Sequence, residues 1–221
     1  MEHIKRFFIL TLAFFLSFVF QAKAQEKPFQ KEVDELIKKI SDSGWEPGGL
    51  VFTGSSSIRF WMSLQKDFPG ENIINTGFGG SKASDLMAHL PELVLNYRPS
   101  KVFIYEGDND IWADVKVSDI MTELDEIVSW IQLENKNAEI YLISAKPSPS
   151  RWEKMSSYKI LNQLMKEYCL AHEGVTFIDI WDSMLGENGR PIPEIFITDS
   201  LHMNPKGYEI WKEVFTPYVK D

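Results

Sequence analysis

The sequence is poor in residues that would cross-link it or hold a metal. Cys169 is the single cysteine in 221 residues, so no internal disulfide can form. It lies in "ILNQLMKEYCL" and reads as a core residue. Histidine is scarce as well, four in all, and none is spaced against a cysteine or a second histidine as a zinc site requires. No metal or other cofactor is expected. Basic charge is in deficit: 23 Lys and Arg stand against 32 Asp and Glu, a formal net charge of −9. Phosphate backbones and anionic bilayers are bound by neutralising them with Lys and Arg, so neither nucleic acid nor a membrane surface is an expected partner.

Long apolar runs are confined to one place. Phe7 to Phe20 is almost wholly apolar, with Lys5 and Arg6 before it and "QAKA" ending at Ala24 after it. This order of charge, apolar stretch and small residues predicts a signal peptide over residues 1–24, cleaved before Gln25. A membrane span needs about 18 to 20 apolar residues, and this run is shorter and interrupted by Thr11 and Ser17. No cysteine follows the cleavage position for lipid attachment. The expectation is an exported protein, periplasmic or extracellular, without stable membrane insertion. No internal repeat, low-complexity tract or linker interrupts residues 25–221, which predicts one domain.

Short β-like runs alternate with longer stretches of helical period, the pattern of an α/β domain with a mostly parallel sheet. The strand candidates are Gly49–Thr53, Asn72–Thr76, Lys101–Tyr105, Glu139–Ile143 and Val175–Ile178. Helical faces are marked by Val33, Leu36, Ile37 and Ile40; by Leu86, Met87, Leu90, Leu93, Val94 and Tyr97, with Pro91 forcing a kink or restart; by Ile120, Met121, Leu124, Ile127, Val128 and Ile131; and by Leu161, Leu164, Met165 and Tyr168. A last helix starts at "NPKG", with Asn204 as N-cap and Pro205 in the first turn.

In such sheets, sites form where loops leave the carboxyl ends of the strands. Four loops qualify: "GSSS" at 54–57, "GFGGSKASD" at 77–85, "EGDND" at 106–110 and "DSLHMNP" at 199–205. The last holds Asp199 and His202 three residues apart. "GDND" alone has the alternating acids of a calcium loop, but the further spaced oxygen ligands and distal glutamate are missing. A hydroxyl, a base, a carboxylate to orient the base and donors for developing negative charge are the set that ester hydrolysis needs.

"GSSS" after a strand, the glycine of "GFGGS", Asn109 in "GDND" and "DSLH" near the end resemble, in order, the four sequence blocks of the SGNH or GDSL hydrolases. The resemblance spans Gly54 to His202. It implies a three-layer α/β/α fold with a flavodoxin-like, doubly wound, five-stranded parallel sheet, and a serine esterase or lipase activity. Carried over residue by residue, it implies Ser56 as nucleophile, Gly80 and Asn109 as oxyanion donors with the Ser56 N–H, Asp199 as orienting acid and His202 as base. Two positions depart from the pattern: Ser55 stands where the family has aspartate, and Ser81 where it often has another.

Trp61, Trp112 and Trp152 each follow a strand end and are candidates for substrate contact at the rim of the crevice. Arg59, Lys146 and Arg151 lie in the same loops and read as solvated basic side chains. Export, acidic charge and rim tryptophans suit short acyl esters, acetyl above all, on small or polymeric sugars. The rival readings are a lipase or lysophospholipase of the same family and a catalytically silent carbohydrate-binding domain.

Overall fold

A computed structural model describes residues 27–220; the expected signal peptide lies outside them. The elements are α1 (Gln30–Ser41), β1 (Leu50–Gly54), α2 (Ser56–Arg59), α3 (Leu64–Asp67), β2 (Ile73–Asn75), α4 (Ala83–Ala88), α5 (Leu90–Leu93), β3 (Lys101–Tyr105), α6 (Asp108–Trp112), α7 (Val117–Glu134), β4 (Glu139–Ile143), α8 (Met155–Ala171), β5 (Val175–Ile178) and α9 (Pro205–Val219). The five strands pair in parallel in the order β2-β1-β3-β4-β5. β1 and β3 are buried along their whole length and β4 at all but Glu139, which is why these segments are apolar runs rather than alternating ones, while the edge strand β5 leaves Thr176 exposed.

The two faces nevertheless differ in kind. On one, Val51, Val102, Ile104, Ile140 and Leu142 meet Val33, Leu86, Leu90, Ile120, Leu124, Ile127, Leu161 and Met165, an aliphatic layer under α1, α4, α5, α7 and α8. On the other, Phe52, Phe103 and Tyr141 stand in one row of the register. Their rings stack at 4.2 and 4.5 Å between centroids, beneath Trp61, Trp211 and Phe215 on the α2 and α9 side. Helices on both faces make the three-layer α/β/α arrangement that the family resemblance implies.

Three strands match their expected bounds and the other two shift by one residue at their ends. Pro91 restarts the chain as expected, sitting in the first turn of α5 after α4 has ended at Ala88. Asn204 caps α9, its side chain accepting from the Lys206 N–H at 2.9 Å. The chain leaves β1 outward to β2 and returns to β3 on the other side, so the loops after β1 and β3 part above the sheet. A crevice at such a reversal is where open α/β sheets place their ligands.

Candidate active site

β1 runs into its loop through Gly54, whose φ of 118° favours glycine and where a Cβ would strike the Tyr105 carbonyl. The Ser55 N–H donates to that carbonyl at 3.1 Å, and α2 begins at the next residue. The loop after β2 is bound to this turn: the Phe78 N–H donates to Gly54 O at 2.9 Å, and Asn75 Nδ2 donates to Ile58 O at 2.6 Å. The second and first loops are thereby one unit, with the exposed Gly80 at φ 68° in its own tight turn.

The last loop supplies the opposing side. Ser56 Oγ lies 2.9 Å from His202 Nε2, and His202 Nδ1 lies 2.6 Å from Asp199 Oδ2. Asp199 Oδ1 accepts from the N–H groups of Leu201 and His202, both at 2.9 Å, in a turn that Ser200 closes with φ 57°. A carboxylate only accepts, so the hydrogen between Asp199 and His202 belongs to Nδ1, which leaves Nε2 as the acceptor facing the serine hydroxyl. Desolvation works against an ionised Asp199, but hydrogen bonds from His202 and Leu201 outweigh it and hold the carboxyl below its usual range. Phe60 packs edge-on against the imidazole at 5.0 Å. In series these three groups can draw the proton from Oγ to Nε2 while Asp199 balances the imidazolium.

Donors stand nearby. Among the described residues the N–H groups of Ser56 and Gly80 have no hydrogen-bond partner. Asn109 Nδ2 donates to Ser81 O at 2.8 Å, which ties α6 to the Gly80 loop and leaves the second hydrogen of the amide free. Asn109 Oδ1 accepts from Arg151 Nη2 at 3.0 Å.

Behind Asn109 lies a buried charge cluster. Asp108 accepts from Lys146 Nζ and Arg151 Nη1, each at 2.7 Å, and from the Tyr105 hydroxyl at 2.8 Å. Burial opposes its ionisation, yet the two cations prevail and hold its carboxyl far below the usual range. Glu106 is buried too, accepting from Ser81 Oγ at 2.7 Å; burial, with Asp110 nearby, pushes its carboxyl well up. Asp110 accepts from the N–H groups of Ala83 and Gly107, and burial raises it to about 6. Among the described residues no group of three or more His, Cys, Asp or Glu is arranged to hold a metal ion.

Ser56, Asp199 and His202 are thus in direct contact, and Gly80 and Asn109 are joined to them through the loops. The tryptophans divide. Trp61 is 1% exposed and packs among Phe52, Phe68, Tyr208, Trp211 and Phe215, so it is core and not rim. Trp152 stacks on Trp181 at 6.0 Å with Arg190 over its ring, on the edge of the aliphatic layer. Trp112, 43% exposed, remains at the surface beside Asn109, with Arg151 and Lys154 against its ring. Lys146 and Arg151 are not solvated as expected: Asp108 draws both inside. Glu32 of α1 also escaped the sequence reading, though it accepts from the Gly79 N–H at 2.9 Å and pairs with Arg59 at 3.0 Å. Its only sequence signal is a place on the polar side of an amphipathic helix.

The model of the GDSL-like Lipase/Acylhydrolase family matches residues 40–210. The chain belongs to this family. No curated protein matches the sequence. Solved structures share the family's fold at low identity. A GDSL-like lipase from Bacteroides thetaiotaomicron is 19% identical over 85% of this chain and 97% of that one, with a TM-score of 0.74. A lipase/acylhydrolase from Enterococcus faecalis is 21% identical over 78% and 95%, with a TM-score of 0.66. An acetylxylan esterase from Geobacillus stearothermophilus, solved as a catalytic mutant, is 17% identical over 79% and 95%, with a TM-score of 0.63.

Proposed function

We propose that this family member is an exported serine esterase that hydrolyses short acyl esters, acetyl above all, on carbohydrates through an acyl-serine intermediate. One observation carries the reading: the hydrogen-bonded series Ser56 Oγ, His202 Nε2, His202 Nδ1, Asp199 Oδ2 at 2.9 and 2.6 Å. His202 Nε2 takes the proton as Ser56 Oγ bonds to the ester carbon. The carbonyl oxygen, now negative, is received by the N–H groups of Ser56 and Gly80 and by Asn109 Nδ2. The C–O bond to the alcohol then breaks, and the imidazolium returns the proton to the departing oxygen. Water, deprotonated by the same imidazole, attacks the acyl-serine; the acid leaves and the serine hydroxyl is restored.

Three features support the sugar preference: the net charge of −9 disfavours anionic bilayers, Trp112 offers an exposed ring beside Asn109, and the fold is shared with an acetylxylan esterase. Export rests on residues 1–24 and is tested by sequencing the mature N-terminus, expected at Gln25. The activity is tested with nitrophenyl esters from acetyl to long-chain acyl beside acetylated xylo-oligosaccharides, and with a fluorophosphonate followed by peptide mapping. The expected result is labelling at Ser56 and fastest turnover of acetyl esters. A long-chain preference would move the reading to a lipase or lysophospholipase, and no adduct on any serine would favour a silent binding domain.

A further inference from the structure

We infer that Arg151 is a positioning residue: its guanidinium fork joins the buried Asp108 to the carboxamide of Asn109 and fixes the direction of that amide's free N–H. The inference rests on the proposed esterase reading, in which Asn109 receives the oxyanion. Arg151 Nη1 donates to Asp108 Oδ1 at 2.7 Å and Nη2 to Asn109 Oδ1 at 3.0 Å. The opposite end of the amide is set by Ser81, whose carbonyl accepts from Nδ2 at 2.8 Å. A guanidinium has only donors and a carbonyl only acceptors, so each end of the amide has one permitted partner. Turning the amide over would set Oδ1 against Ser81 O and NH₂ against a cation, losing two hydrogen bonds at once.

Arg151 is itself held. Asp108 is anchored from the other side by Lys146 and Tyr105, and the guanidinium carbon stands 5.5 Å from the centre of the Trp112 ring. The loop carrying Arg151 is bonded to the last loop through the Ser150 N–H and Ser200 O at 3.2 Å. A donor that already points at the developing charge needs no reorganisation during the reaction, which is where such donors have most of their effect. Lysine could still pair with Asp108, but as a single point it has no second arm at fixed geometry for Asn109.

The test is a double-mutant cycle on 4-nitrophenyl acetate with wild type, Arg151→Lys, Asn109→Ala and the double variant, with melting curves for each and Ser56→Ala beside them. Arg151→Lys should lower kcat by roughly 10- to 100-fold with KM within about twofold, because it misaligns one oxyanion donor without removing it. In the Asn109→Ala background the same change should alter kcat by less than about twofold, since the group it acts through is gone. If the lysine variant fails to melt cooperatively, Arg151→Gln takes its place under the same criteria. Full kcat in the Arg151 variant, or an equal loss with and without Asn109, overturns the inference while leaving the esterase reading standing. Full kcat in Asn109→Ala also overturns the inference, since the donor that Arg151 positions would then do nothing, whereas full kcat in Ser56→Ala overturns the esterase reading of the site itself.

Discussion

Ser55, Ser56 and Ser57 are three consecutive hydroxyl residues in three different surroundings. Ser55 and Ser57 are buried, and the Ser57 carbonyl accepts from the Tyr208 hydroxyl at 2.9 Å; only Ser56 meets His202. Ser56→Ala should therefore abolish turnover, about 10⁶-fold in a comparable triad. Ser55→Ala and Ser57→Ala should cost about 0.5 to 1.5 kcal/mol of stability and little rate. Turnover and melting temperature of all three on one activated ester check this, and a dead Ser55→Ala beside an active Ser56→Ala would move the register by one residue. Asn109→Ala should lie between, at about 10² to 10³ in kcat, as one donor is lost and the nucleophile kept. The position of Ser56 was legible because a strand, a glycine and a serine string fall in order with three later blocks. The burial of Trp61 was not, because a place after a strand end says nothing of which way a ring turns.

At the scale of elements, α1 does more than cover the sheet. Glu32 reaches from it to the Gly79 N–H and to Arg59, so this helix braces the loop that carries Gly80 and the helix that begins with Ser56. Glu32→Ala should lower kcat by about threefold to thirtyfold with a small change in melting temperature, the loss expected of a loosened rather than missing donor. A variant with wild-type kcat would show that the loop holds its shape unaided. Asn204 has a double task, capping α9 while its Nδ2 donates to Glu194 O and Phe196 O at 2.8 and 3.1 Å. Asn204→Ala should cost about 1 kcal/mol or more by thermal unfolding. The cap was plain from "NPKG", but the tether to residues 194 and 196 was not, since it joins the start of α9 to a short 3-10 turn that has no sequence period of its own. The burial of Lys146 and Arg151 is hidden from the sequence for a related reason: they lie 38 and 43 residues from Asp108, and no periodicity marks charges that meet across loops.

Across the whole molecule, buried carboxyls give stability an uncommon dependence on pH. Asp110 is raised from 3.8 to about 6 by burial. A group raised in the folded state contributes stability that is whole below its ordinary value and lost as pH climbs through the folded one. Its contribution therefore falls away between about pH 4 and 6, by on the order of 2 to 3 kcal/mol, and Glu106 adds a loss of the same sign. Asp108 works the other way: its depressed carboxyl contributes above its ordinary 3.8 and is forfeited only in strong acid. Melting temperatures from pH 4 to 7 for wild type and Asp110→Asn should show the variant gaining on the wild type as pH rises. Parallel curves would mean that Asp110 ionises as freely inside the fold as outside it. The five strands and the helical faces are readable in outline from apolar runs and helical period, and the layered arrangement from the family resemblance, whereas this balance depends on which carboxyls the fold seals off from water.

The bond between Ser56 and His202 closes a loop of chain 146 residues long. A chain made from its N-terminus thus holds its serine early and receives its base only when the segment leading into α9 has arrived and docked. A form that ends before His202, nascent or truncated, should be silent toward esters however much of the sheet it has built. During refolding, hydrolysis should return no earlier than the far-ultraviolet signal of the helices, which makes turnover a gauge of the last step of assembly.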